Sequence, residues 1–226
     1  MTRRPVSMTM YCGGWSSSKE MIWSWTTRVA LRYADGVLTD SRIRSQRMSE
    51  LVGSRAEMRQ LLGLPGDPTV RVIAQIGPFT EYKGQSVLLR AARKILDREP
   101  KTAFLMVGFA REESYKAELR RLAEELGITE RVVMTEYPGP IGDVWQAVDI
   151  HAHASLFDSL PISIAEGMSL GKPAVLTSAG GIPEIVKHGE TGLVVPPGDA
   201  DALANGLLEV LRDQALAERL GRNARR

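Results

Sequence analysis

From Val70 onward the chain repeats one pattern: a short apolar run, a break, then a stretch with helical spacing. The runs Val70–Ile76, Ala103–Val107, Arg131–Thr135, Ile150–Ala154 and Ala174–Thr177 read as buried strands, and Leu193–Val195 as a further short one. Between them lie helical patterns at Gly84–Arg98, Glu113–Leu126, Ile141–Ala147 (short) and Pro161–Leu170, with a last helix over Ala200–Leu211. Strands alternating with helices predict an α/β fold, a doubly wound parallel sheet of Rossmann-like type with helices on both faces. Such sheets bind ligands in the crevice at the carboxyl ends of their strands. The loops that follow each strand are therefore the places to look for chemistry.

Residues 1–62 do not share the pattern and read as a partial N-terminal domain and linker, leaving 63–226 as the sheet domain. Charge divides in the same way. Residues 1–60 carry ten Lys/Arg and five Asp/Glu, although the whole chain of 226 residues has a net charge of only +2. A balance so near neutral gives no sign of a nucleic-acid partner. The segment 19–34, KEMIWSWTTRVALRYA, sets Ile22, Trp25, Val29 and Tyr33 at near-helical spacing among Lys19, Arg28 and Arg32. It reads first as a helix that packs on a domain core; the alternative is a basic amphipathic helix on a membrane surface. A short strand at Gly36–Thr39 and a basic helical stretch across Ile43–Leu62 follow. The single cysteine, Cys12, supports no disulfide framework and fits a reducing compartment. With no run of 18 apolar residues and no apolar core near the start, neither a membrane span nor a cleaved signal peptide is expected. The expected location is cytoplasmic, or peripheral at the inner face of the membrane.

Three loops carry candidate chemistry. The first, GPFTEYKG at Gly77–Gly84, has a glycine at each end and Lys83 just before the next helix. It matches neither GxGxxG nor a Walker loop, yet a lysine on a glycine-hinged loop is well placed for a phosphate. The second, DSLPISIAEGMSLGKP at Asp158–Pro173, follows a strand and opens a helix at Pro161. Amides near Leu160 and Ile162, with the helix dipole, suit an anion. Glu166 falls inside the helix among Ile164, Ala165, Met168 and Leu170. A carboxylate in such company needs a donor, and a sugar's vicinal hydroxyls would supply two. The alternative is a half-exposed Glu166 paired with Lys172. The third stretch, Ser178–Asp199, holds Gly180 and Gly181, which allow a tight turn and close backbone approach to a ligand. Pro183 and Glu184 would open a short helix, and Gly189 and Gly192 read as a plain connector.

The order KGQSVLLRAA, then DSLPISIAEGMSLGKPAVLTSAGGIPE, then HGETGLVVPPGD resembles the C-terminal, donor-binding half of retaining GT-B glycosyltransferases of the family 4 type, the glycosyl transferases group 1. The resemblance covers roughly Leu61–Arg226. It implies transfer of a sugar from a nucleotide diphosphate-sugar to an acceptor, with retention and without a metal. By resemblance, Asp158 contacts the donor sugar's hydroxyls, Glu166 the ribose, and Lys83 with the Leu160–Ile162 amides the diphosphate. Gly77 then lies in the phosphate loop and the Gly180–Gly181 loop borders the donor pocket. Lys83, Asp158 and Glu166 would be the catalytic set. The chain departs from the family pattern in four places: Pro78 stands where many relatives have arginine, Asp158 where they have Glu, Glu136 where they have glycine, and Gly108-Phe109-Ala110 replaces a more glycine-rich turn. Residues 20–40 resemble only the last helix and strand of an acceptor-binding domain. Both ends of the chain are expected to be cut or completed by another chain, so an acceptor-binding domain or subunit, or a second copy, is an expected partner. Two other readings stay open, a non-catalytic donor-binding subunit and a degenerate remnant. A nicotinamide-dependent oxidoreductase is set aside for want of GxGxxG. Of the histidines, His151 and His153 fall in a strand and are expected to be structural.

Overall fold

Residues 54–159 and 161–226 are described by the computed structural model. Helix α1 (Arg55–Leu61) starts on a capping box: the Glu57 amide donates to the Ser54 hydroxyl, and the Ser54 amide donates to the Glu57 carboxylate. Two N–H groups that a helix start leaves open are thereby satisfied. Ser54→Ala is expected to cost about 1 kcal/mol, read as a lower urea midpoint at unchanged slope. Both Asp149 carboxylate oxygens accept from Arg55 Nη2, and Oδ2 also accepts from the Val72 amide, which ties α1 to the amino-terminal end of the sheet.

The chain then alternates as the sequence predicts: β1 (Arg71–Ile76), α2 (Gln85–Leu96), β2 (Thr102–Val107), α3 (Glu113–Glu125), β3 (Val132–Thr135), α4 (Ile141–Val144), β4 (Ile150–His153), α5 (Ile162–Ser169), β5 (Ala174–Thr177), α6 (Ile182–Ile185), β6 (Leu193–Val195), α7 (Ala200–Arg212) and α8 (Gln214–Ala224). The six strands form one sheet in the order β3-β2-β1-β4-β5-β6, every neighbouring pair parallel. The doubly wound sheet is thus present. Its strand order reverses between β1 and β4, and a crevice opens at such a point.

Both faces of the sheet are covered, and the period-two side-chain alternation of a strand decides which residue serves which face. Val72, Ala74 and Ile76 join Met58, Leu62 and Trp145 on one side. Ile73, Phe104 and Met106 join Leu88, Ile95 and Leu207 on the other. A third cluster, Ile164, Ala174, Leu176 and Ile182, packs α5 and α6 beside β5.

Helix α8 corrects the sequence reading, which ended the last helix at Leu211. Asp213 breaks α7 and at once caps a new helix by accepting from the Leu216 amide. Gly221 lets that helix lie against the turn after α5: a Cβ there would fall 2.1 Å from the Gly171 carbonyl oxygen. The expected stripe at 19–34, the strand at Gly36–Thr39, the start of the stretch at Ile43, and Cys12 lie outside the described residues. No helix of the described residues is long and apolar enough to cross a membrane.

Candidate functional site

Because β1 and β4 are neighbours, the loops that leave their carboxyl ends open on one crevice. Gly84 draws them together. Its φ is +64°, and a Cβ would sit 2.0 Å from the Ala154 carbonyl oxygen, so the start of α2 can press on the end of β4 only with glycine there. Two buried glutamines fix the first loop from below. Gln75 of β1 donates to the Lys83 carbonyl at 2.6 Å, and Gln85 donates to the Pro78 carbonyl at 2.8 Å. The Leu156 amide donates to the Tyr82 carbonyl at 2.8 Å and joins the two loops directly. The backbone of Lys83 is therefore held while its side chain crosses the crevice.

That side chain ends on Asp158. Lys83 Nζ lies 2.5 Å from Asp158 Oδ2. His153 Nε2 lies 2.9 Å from the same oxygen, and the Ser155 hydroxyl donates to it at 3.2 Å. Among the described residues every donor to this carboxylate reaches Oδ2. The cluster is well enclosed, with Asp158 8% exposed and His153 1%. Burial pushes the Asp158 carboxyl up, but the hydrogen bonds from His153 and Lys83, with the Lys83 charge, outweigh it and bring it from the ordinary 3.8 to about 2. Burial also holds His153 below the usual imidazole value, although Asp158 pulls the other way. A neutral ring beside a carboxylate places its proton on Nε2, where it donates to Asp158.

The linkage has a definite sign. A carboxyl whose folded value is depressed adds stability above its unfolded value and loses it as pH falls toward the folded one. Asp158's ionisation therefore stabilises fully above about pH 4, and that contribution fades toward pH 2. In urea unfolding at stepped pH, the difference between wild type and Asp158→Asn is expected to shrink across that window.

Behind the loop, Gly180 has φ +54°, and a Cβ would lie 1.5 Å from the Asp158 carbonyl oxygen. The Gly181 amide donates to the Ser159 carbonyl at 3.1 Å. The Gly180–Gly181 turn thus packs on the backbone that carries Asp158. Pro161 serves as the N-cap of α5, one residue before the helix it was expected to open. Ile162 is the first helical residue and is partly exposed. Leu160 lies outside the described residues. Glu166 is 4% exposed, which corrects the half-exposed alternative, and Lys172 donates to the Val148 carbonyl at 2.8 Å. Glu136 accepts from the Ala110 amide at 3.3 Å and lies 3.5 Å from Lys116 Nζ, so its charge is answered locally.

His153, expected to be structural, and Ser155, which the sequence did not single out, both lie against Asp158. The available signal was position: His153 is the last residue of β4, at the carboxyl end where ligands bind. Gln75 gave no signal, since a glutamine inside an apolar run is equally consistent with any buried hydrogen bond.

The fold is thus a doubly wound α/β domain in which a lysine and an aspartate meet across the switch point of the sheet. The chain belongs to the glycosyl transferases group 1, whose pattern matches residues 55–226. It is 34% identical, over 74% of this chain and 45% of the relative, to a GDP-mannose-dependent alpha-(1-6)-phosphatidylinositol monomannoside mannosyltransferase of Mycolicibacterium smegmatis. It is 30% identical, over 74% of this chain and 40% of the relative, to a D-inositol 3-phosphate glycosyltransferase of Corynebacterium glutamicum. The chain thus spans less than half the length of these curated relatives. Among solved structures, Anabaena HepE in complex with UDP and glucose superposes with a TM-score of 0.70 at 29% identity, over 76% of this chain and 46% of that one. The C-terminal domain of LpcC, a glycosyl transferase group 1 family protein of Francisella tularensis, shares the fold with a TM-score of 0.68 at 23% identity, over 77% of this chain and 90% of that one.

Proposed function

We propose that this chain is the donor-binding half of a retaining glycosyltransferase of the family 4 type, gripping a nucleotide diphosphate-sugar in the crevice between the loops after β1 and β4. The observation that carries the reading is the meeting of Lys83 and Asp158 across the switch point, beside the start of α5. In this reading Lys83 and the amides from Leu160 to Ile162 face the diphosphate, and Gly77 leaves room beside it. Asp158 accepts the sugar's hydroxyls and Glu166 the ribose, with the Gly180–Gly181 turn as a wall of the pocket. Charge that develops on the leaving diphosphate meets a fixed cation and a helix end, an electrostatic contribution that often dominates such reactions. No metal is assigned a part. The names of the relatives and of HepE's ligands support a nucleotide-sugar donor.

The acceptor is assigned to a part of the enzyme other than this sheet domain: a further domain, a separate subunit or a second copy. A donor-binding chain that transfers nothing by itself remains the second reading. It is favoured by Pro78, where an arginine would help hold the diphosphate. The cytoplasm, or the inner membrane face through residues 19–34, is the proposed location.

A thermal-unfolding screen against UDP, GDP and their glucose and mannose conjugates tests the donor site. A ligand at a hundred times its dissociation constant adds about 2.7 kcal/mol, which raises the midpoint by roughly 5–10 °C in a chain of this size. No shift with any of these ligands rejects the donor site. A shift without transfer to any acceptor favours the second reading.

A further inference from the structure

Lys83 is engaged twice in this account: its ammonium is bonded to Asp158, and the same ammonium is needed by the diphosphate. An aspartate left alone in so enclosed a place would be costly, and that cost would pin the lysine where it is. The neighbours of Asp158 resolve the conflict. His153 and Ser155 already donate to the oxygen that Lys83 holds, at 2.9 and 3.2 Å. Both sit on rigid ground. His153 is the last residue of the central strand β4, and the Ser155 carbonyl accepts from the Thr177 hydroxyl at 2.6 Å. Lys83, in contrast, is attached by a flexible four-carbon stem to a loop with glycine at each end.

Resting on the donor-site reading above, we propose that His153, with Ser155, is a positioning residue that carries the Asp158 charge when Lys83 leaves it, so that the ammonium is free to meet the donor's diphosphate. His153 touches no part of the nucleotide in this scheme. It acts through Asp158 by making the lysine's departure inexpensive. When Lys83 leaves, burial acts to raise the Asp158 carboxyl, and the hydrogen bond from His153 is the contribution that continues to hold it down. The neutral ring of His153 donates its Nε2 proton while adding no positive charge to compete with Lys83.

The test is a calorimetric titration of the full chain with UDP and with GDP, which lack the transferred sugar and so report on the nucleoside diphosphate without any sugar contact to Asp158. His153→Ala is expected to weaken the tighter-binding nucleotide about tenfold, the scale of one hydrogen bond to a charged group. His153→Gln, whose amide can still donate to Asp158, is expected to stay within about threefold of wild type. The double variant H153A/D158N is expected to recover most of the loss, since a neutral amide no longer pins Lys83. A merely structural role for His153 does not produce that recovery. Ser155→Ala is expected to give a smaller loss, also reversed by D158N, and it serves if H153A does not fold. Wild-type affinity in H153A, or a loss that persists in H153A/D158N, overturns the inference while leaving the donor site intact. A wild-type chain that binds neither nucleotide removes both.

Discussion

Lys83→Met is expected to weaken nucleoside diphosphate binding by roughly 10- to 100-fold while leaving the fold in place. The size follows from the chemistry. One charge-assisted hydrogen bond between an ammonium and a phosphate oxygen contributes about 1.5–3 kcal/mol, and each 1.4 kcal/mol is tenfold in affinity. Pro78 makes the loss more complete, because the loop offers no second cation at that position. Tolerance of the fold follows from the geometry. Removal of one partner of an enclosed ion pair is usually severe because the other charge is stranded. Here Asp158 keeps His153 at 2.9 Å and Ser155 at 3.2 Å. Methionine fills the stem's space, so the packing of the loop survives. The measurement is a pair: affinity for UDP or GDP by calorimetry, and the unfolding midpoint without ligand. A large drop in the midpoint of unliganded K83M would contradict this account of how Asp158 is held.

Gly180→Ala is expected to do the reverse, harming stability and binding together. A Cβ at this position would sit 1.5 Å from the Asp158 carbonyl oxygen, and φ is +54°. Neither a rotamer change nor a small shift relieves a clash with backbone, so the turn must be rebuilt. Strain in the left-handed region and forced separation of packed backbone each cost about 1–3 kcal/mol, for a total near 3 kcal/mol. In a chain of this size that lowers the unfolding midpoint by roughly 6–12 °C. Asp158 moves with its backbone, so affinity for a nucleotide-sugar falls as well. Gly63 makes a suitable control. It also has positive φ, but a Cβ there meets nothing within 4 Å, so Gly63→Ala isolates the conformational part of the cost.

Much of the sheet was legible because its strands are buried on both faces and stand out as apolar runs. β1, β2 and β5 fall within a residue of the runs that marked them. Lys83 and Asp158 were found by rule, one on each loop at a carboxyl end, and the structure brings their charged groups together. What escaped depended on contacts across the chain. His153 sits in a run, His-Ala-His, in which every residue is buried, so its own strand does not distinguish it from His151. The difference comes from Asp158, five residues on, folding back to reach it. His151 meets the edge of Trp145 instead, at 4.9 Å between ring centroids. Helix α8 escaped because Asp213 looks like an ending. In the fold it ends one helix and caps the next.

The central claim is that Lys83, the start of α5 and the two acidic side chains form one cradle for a pyrophosphate-linked sugar. A crystal structure of the chain with UDP-glucose or GDP-mannose, whichever binds, tests it most directly. Lys83 Nζ is expected within about 3 Å of a phosphate oxygen, with a sugar hydroxyl on Asp158 and the ribose hydroxyls on Glu166. A nucleotide seated elsewhere, with Lys83 still on Asp158, would contradict it.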